Sequence, residues 1–179
     1  MARFSMVEEK DASGETQRIF KEILEVKHLR KVPNFFKTLA ATLTVLQGTW
    51  SVYRHVSTRG SIPESVKEMM FVAISVAKQC KYCEVAHVAF CRILKVDPET
   101  CENLVRNVDA IKPERTREII RFAVKTAVDP KSLAEQDYKS LAKHKISPEE
   151  IVEIVAMSAF ATYAITVADA LQLELDKFD

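Results

Sequence analysis

Glycine is nearly absent from this chain: three residues in 179, at positions 14, 48 and 60. Sheet folds turn on glycine-rich loops between alternating apolar strands, and neither pattern persists here, while helix formers dominate throughout. An excess of charge of one sign is missing too. Lys and Arg number 26 against 25 Asp and Glu, a net +1, which gives no footprint for nucleic acid or an anionic membrane. The opening, Met1 to Glu9, carries no apolar leader, and no apolar run is read as reaching the ~18 residues of a membrane span. The expectation is a cytoplasmic protein with neither nucleic-acid nor membrane partners. Cysteines number four, and in a reducing compartment they argue against a structural disulfide framework, since a C-x-x-C there is more often catalytic or metal-binding.

No linker rich in Gly, Ser or Pro divides the chain, and 47% hydrophobic content suffices for a full core, so a single all-α unit is expected over residues 1–179. Three segments follow from its punctuation: N-terminal helices in 1–60, a C-x-x-C-containing segment in 61–108, and a helical segment in 112–179. The first helix is read at 15–29. Val32-Pro33-Asn34 interrupts before an apolar stretch at 35–58, and Gly60 is read as a C-cap. Ser61-Ile62-Pro63-Glu64 and Ser147-Pro148-Glu149-Glu150 are capping-box starts with proline in the first turn. Asp97-Pro98, Lys112-Pro113-Glu114 and Asp129-Pro130 mark further boundaries.

Aligning Glu64 to Met70 with Glu149 to Val155, a shift of 85, matches two glutamates and the apolar spacing. Either the chain contains an internal helical repeat or two amphipathic helices with Pro-Glu starts look alike. The second copy has Ile165 and Ala168 where the first has Cys80 and Cys83. The helix read at 149–172 is apolar around most of its circumference, so it is expected either at the centre of the core or against another subunit. A homo-oligomer is the resulting expectation, a trimer or a multiple of dimers, with Phe160 or Tyr163 near the contact.

The chemistry concentrates in Cys80-Lys81-Tyr82-Cys83-Glu84-Val85-Ala86-His87. Read as continuous helix, spacings of three and four put Cys80 beside Cys83 and Cys83 beside His87. One helical turn also falls within the ~4.4–6.8 Å that a disulfide spans between Cα atoms. A histidine one turn from a thiol can take its proton, and a helix N-terminus acidifies a thiol further, so a thiolate is expected near neutral pH. Metal binding through Cys80, Cys83, His87 and Cys91 is opposed by a ~16 Å span along one helix, and no metal or cofactor is expected. Cys91 and Cys101 read as small apolar core residues, and His28, His55 and His144 as surface residues. Glu68 lies ~18 Å from Cys80 if the helix runs straight. It then reads as a solvated or salt-bridged residue, and it reaches His87 only if the chain bends near Lys78-Gln79.

Glu68 followed twelve residues later by C-x-x-C-x-x-x-H resembles the signature of the alkylhydroperoxidase D-like (AhpD-like) family of the carboxymuconolactone decarboxylase superfamily. Val32-Pro33-Asn34 before an apolar helix, and the break from Gly60 to Pro63, are similar to its peroxidase-related branch. The resemblance implies an all-α fold, a homo-oligomer and a thiol peroxidase or disulfide reductase. Carried over by position, Cys83 is the peroxidatic thiol and Cys80 the resolving, more accessible one, with His87 and Glu68 as a proton relay. A hydroperoxide is the implied substrate and a dithiol or thioredoxin-like protein the implied reductant. The chain departs at Tyr82, where the best-known members have a second histidine. A phenol titrates near ~10 and cannot shuttle protons at neutral pH as imidazole does, which bears on the family's lipoyl-type reductant. The superfamily's true decarboxylases lack this cysteine pair, which argues against a lactone-directed activity. Two readings remain beside the peroxidase: a disulfide reductase or redox relay, and a non-catalytic oligomeric binding protein.

Overall fold

The computed structural model describes residues 4–176. Among these residues there are nine α-helices, three short 3₁₀ turns and no strand, as an all-α composition requires. In chain order the helices are α1 (Gly14–Lys27), α2 (Asn34–Leu39), α3 (Leu43–Val56), α4 (Glu64–Ala77), α5 (Lys81–Ile93), α6 (Pro98–Arg106), α7 (Glu114–Val128), α8 (Glu135–Lys143) and α9 (Pro148–Ala170).

At the centre is α4. Its residues are buried without a break from Lys67 to Ser75, because α5, α7 and α9 pack around it. A helix covered on every side has no polar face to keep, hence the unbroken run Met69-Met70-Phe71-Val72-Ala73-Ile74. The two charged residues in this buried run of α4 are neutralised. Lys67 pairs with Glu153 of α9 at 2.9 Å and donates to the Arg59 carbonyl, while Glu68 belongs to the site described below. Glu153 thus meets a buried lysine at the position that the 85-residue shift equates with Glu68. Beyond it the two segments diverge: α4 stops at Ala77, whereas α9 runs on to Ala170.

Three expectations change. The stretch at 35–58 is two helices, since the chain bends at Ala40–Thr42 to set Phe36 of α2 edge-on to Trp50 and Tyr53 of α3, both at 5.7 Å. Gly60 does not cap α3, which closes at Ser57 through its N–H to the Tyr53 carbonyl. Its φ of +110° and the Glu153 carboxylate lying against its Cα explain why that position is glycine. The same carboxylate accepts from the Ser61 N–H at 2.7 Å. Lastly, α9 is long and apolar enough to cross a bilayer, although no such run was expected. Here it is a core helix, with Ile154, Met157, Phe160, Ala161, Ala164 and Ile165 buried against α3, α4, α5 and α7. Phe160 packs against Tyr53 and Phe71, at 5.5 and 6.4 Å. Of the two residues expected near a subunit contact, only Tyr163 is therefore exposed.

Candidate active site

The bend that Glu68 needs is present. The Cys80 N–H bonds the Ser75 carbonyl at 2.9 Å and closes α4, with Gln79 in the left-handed region at φ +60°. Cys80 then serves the next helix: it is the N-cap of α5, and its sulfur accepts the Cys83 N–H at 3.4 Å. One residue therefore ends one helix and starts the next, and α5 folds back along α4. The motif is not continuous helix, as the spacing suggested, because Cys80 has extended backbone just outside α5.

Folding back brings Glu68 and His87 together, with Oε2 2.5 Å from Nδ1. Glu68 is fully buried, and its other oxygen accepts from Lys27 Nζ at 2.8 Å and Tyr53 OH at 3.2 Å. Burial alone would hold the carboxyl protonated, but the Lys27 charge and the contact with His87 outweigh it and bring its pKa down to about 2. An ionised carboxylate only accepts, so His87 Nδ1 is the donor of this bond and Nε2 is the ring nitrogen that Glu68 does not engage. The ring is clamped by Phe71, stacked at 3.4 Å, and Phe90, edge-on at 5.2 Å.

A small cavity of about 30 Å³ lies at this point. Cys83 and His87 line it, among Phe35, Phe36, Phe71 and Phe90. A larger open groove between α7 and α8, lined by Arg117, Glu118, Arg121, Lys139 and Lys143 among others, holds no cysteine and shares no lining residue with this cavity. All four cysteines are free thiols, and Cys91 and Cys101 lie in the core as expected. Among the described residues no three His, Cys, Asp or Glu side chains gather as metal ligands would.

Two expectations about the thiols are corrected. Cys80 is fully buried and Cys83 is 2% exposed, so Cys80 is not the accessible member of the pair. The Cys83 thiol is held above its ordinary range, not below it, first by the Cys80 sulfur beside it and then by burial. The helix-terminal N–H that was expected to acidify Cys83 points at Cys80.

Sequence reasoning missed three residues of the site. Lys27 is 3% exposed at its side chain and bridges Glu68 and Glu64, the latter at 2.7 Å. Its signal was a lysine in register with Phe20 and Ile23 on the buried stripe of α1. Tyr53, in α3, follows the same stripe logic. Asp176 had no signal: it takes the Tyr82 hydroxyl at 2.5 Å and the Asn34 N–H at 2.8 Å, joining the last described residues to α2 and α5. Tyr82 also accepts the Phe35 N–H, and burial with the Asp176 charge raises its phenol well above the usual range. It is therefore a neutral tie at the cavity wall and no substitute for a histidine.

Residues 38–112, which include Tyr53, Glu68, Cys80, Cys83 and His87, match the model of the carboxymuconolactone decarboxylase family. No curated protein matches the sequence significantly. Among solved structures, an uncharacterised peroxidase-related protein from Ralstonia eutropha JMP134 with an alkylhydroperoxidase AhpD core is 26% identical, with TM-score 0.89 over 98% of this chain and 92% of that one. A peroxidase-related protein from Silicibacter sp. TM1040, also uncharacterised, is 27% identical, with TM-score 0.84 over 98% and 95%. A variant of the debrominase Bmp8 in complex with 2,3,4-tribromopyrrole has TM-score 0.84 over 98% and 92% at 16% identity, a likeness of fold alone. Fold, motif and the match over residues 38–112 agree in making the chain similar to the AhpD-like part of the carboxymuconolactone decarboxylase superfamily.

Proposed function

We propose that this protein is a thiol-dependent peroxidase that reduces a hydroperoxide through a Cys80–Cys83 disulfide cycle. The observation that carries the reading is the Glu68–His87 pair beside a cavity that Cys83 also lines, with the Cys80 sulfur against the Cys83 amide. Glu68 fixes the ring and stays ionised, so it orients the base and does not itself carry a proton. His87 Nε2 takes the Cys83 proton. The resulting thiolate attacks the distal peroxide oxygen, the O–O bond breaks, and the alkoxide leaves as alcohol with the proton from His87. Cys83 is then a sulfenic acid. Cys80 attacks its sulfur, water departs, and the disulfide forms. A dithiol returns two electrons and two protons and closes the cycle.

Because the resting Cys83 thiol is held up by its neighbour and by burial, it must lose its proton during the encounter, which gives His87 its role. The cavity has room for about two water-sized groups, a fit to the two oxygens of a peroxide. Exchange with a protein disulfide, the relay reading, needs an exposed sulfur, and both are buried. A small dithiol is therefore the favoured reductant. We further propose a homo-oligomer, formed by the outward face of α9.

Peroxide reduction tests the roles. Cys83→Ser is expected to abolish it, whereas Cys80→Ser is expected to allow one oxidation of Cys83 without an intramolecular disulfide. Mass spectrometry locating the oxidation on Cys80 in each single variant would reverse the two roles, and wild-type protein that consumes no peroxide with any dithiol would reject the activity.

A further inference from the structure

We propose that Lys27 is a positioning residue of the site: its ammonium supplies the positive charge that buried Glu68 requires, so that Glu68 can hold the His87 ring by one N–H without drawing a proton onto the other nitrogen. The inference deepens the proposed function, since it rests on His87 Nε2 being the proton acceptor. A carboxylate removed from water must be balanced by a cation or take up a proton. Lys27 is the one lysine or arginine that contacts Glu68 among the described residues. Were it absent, the basic group left beside Glu68 would be the imidazole at 2.5 Å. An imidazolium there would balance Glu68 but would have no lone pair to offer Cys83.

The placement of Lys27 is built, not incidental. Its ammonium lies 2.7 Å from Glu64 and 2.8 Å from Glu68, and over the rings of Tyr53 and Phe90 at 5.3 and 4.9 Å. The other titratable groups around Glu68 and His87 are Tyr53 from α3, Glu64 from α4, and Tyr82, Cys83 and Cys91 from α5, with Asp169 of α9 acting on Cys83. None of these is a fixed cation. Glu64, a quarter exposed at the rim, accepts a second hydrogen bond from the ammonium and anchors the lysine from the solvent side.

Nitrogen-resolved NMR of the imidazole rings tests this directly, with the His87 signals assigned by their loss in His87→Gln. At about pH 8, above the ordinary imidazole range of ~6.5, the wild-type ring is expected to carry one proton, on Nδ1. In Lys27→Met both nitrogens are expected to be protonated at that pH, and kcat/KM for peroxide is expected to fall at least about tenfold. Lys27→Arg, which keeps the charge, is expected to restore the singly protonated ring. A ring in Lys27→Met indistinguishable from wild type would overturn the proposal, as would a doubly protonated ring in the wild type. If Lys27→Met does not fold, Lys27→Gln, which keeps a polar contact without the charge, is read in its place with the same two outcomes. Should the wild type turn over no peroxide, the functional reading fails, while the ring signals still decide what Lys27 does.

Discussion

Glu68 shows how a single residue can look inert in sequence and become central in space. It is held ionised inside the core, with its pKa moved from 4.5 to about 2. A carboxylate lowered in the folded state contributes stability that is present above its unfolded value and lost as pH falls towards the folded one. The melting temperature of the wild type is therefore expected to drop between about pH 4.5 and about pH 2, partly because Glu68 must be protonated, and Glu68→Gln should lack that part of the drop. At neutral pH Glu68→Gln is expected to stay folded, since Glu64 still partners Lys27, yet to lose at least about tenfold in peroxide reduction as the ring is no longer oriented by an anion. Parallel melting curves and peroxide assays check both. Equal activity together with equal acid sensitivity would leave Glu68 a bystander.

Five of the nine helices, α1, α4, α5, α8 and α9, end by a device that does without glycine. His28, Gln79, Lys95, Lys145 and Gln172 all have φ between 52° and 61°. Each is followed by a residue whose N–H reaches back five positions: Leu29 to Leu24, Cys80 to Ser75, Val96 to Cys91, Ile146 to Leu141 and Leu173 to Ala168. These are left-handed helix closures of the kind that glycine usually makes, here made by polar side chains with an apolar residue or Cys80 next in line. That backbone costs a non-glycine residue about 1–2 kcal/mol, part of which glycine's freedom in the unfolded chain would cancel. Lys145→Gly, remote from the site, is therefore expected to raise stability by about 0.5–1 kcal/mol in urea titration with peroxide turnover unchanged. A loss of stability would show that Lys145 contributes through its side chain.

At the scale of the whole molecule, the unsettled surface is the outer face of α9. Val152 is 68% exposed, and Val155, Ala159 and Tyr163 continue the same exposed stripe at spacings of three or four residues. No charged residue interrupts α9 from Ile154 to Ala168. Tyr163 is fixed to α3 through Thr49 Oγ1 at 2.8 Å, and Val45 and Val52 of α3 are exposed as well. A face with this little charge, on a chain of net +1, suits a second copy of itself better than a charged partner. Light scattering is expected to give a multiple of 20.3 kDa, and Val152→Glu to lower it. A wild-type monomer at micromolar concentration would remove the oligomer.

By itself the sequence determined the helical class, through the scarcity of glycine and the lack of alternation, and it determined which residues could carry thiol chemistry, because Cys80, Cys83 and His87 are close in the chain and local geometry is set locally. It also stated the condition on Glu68, a bend near Lys78-Gln79, without being able to say that the bend occurs: Gln79 is not a residue that announces a left-handed closure. Only the tertiary structure decided the rest. Lys27 and Asp176 come from 41 and 108 positions along the chain from Glu68, and nothing local ties them to it. Which sulfur faces the cavity, and in which direction Cys83 is shifted, likewise depend on burial and on a neighbouring sulfur, quantities that exist only once α5 has folded back on α4.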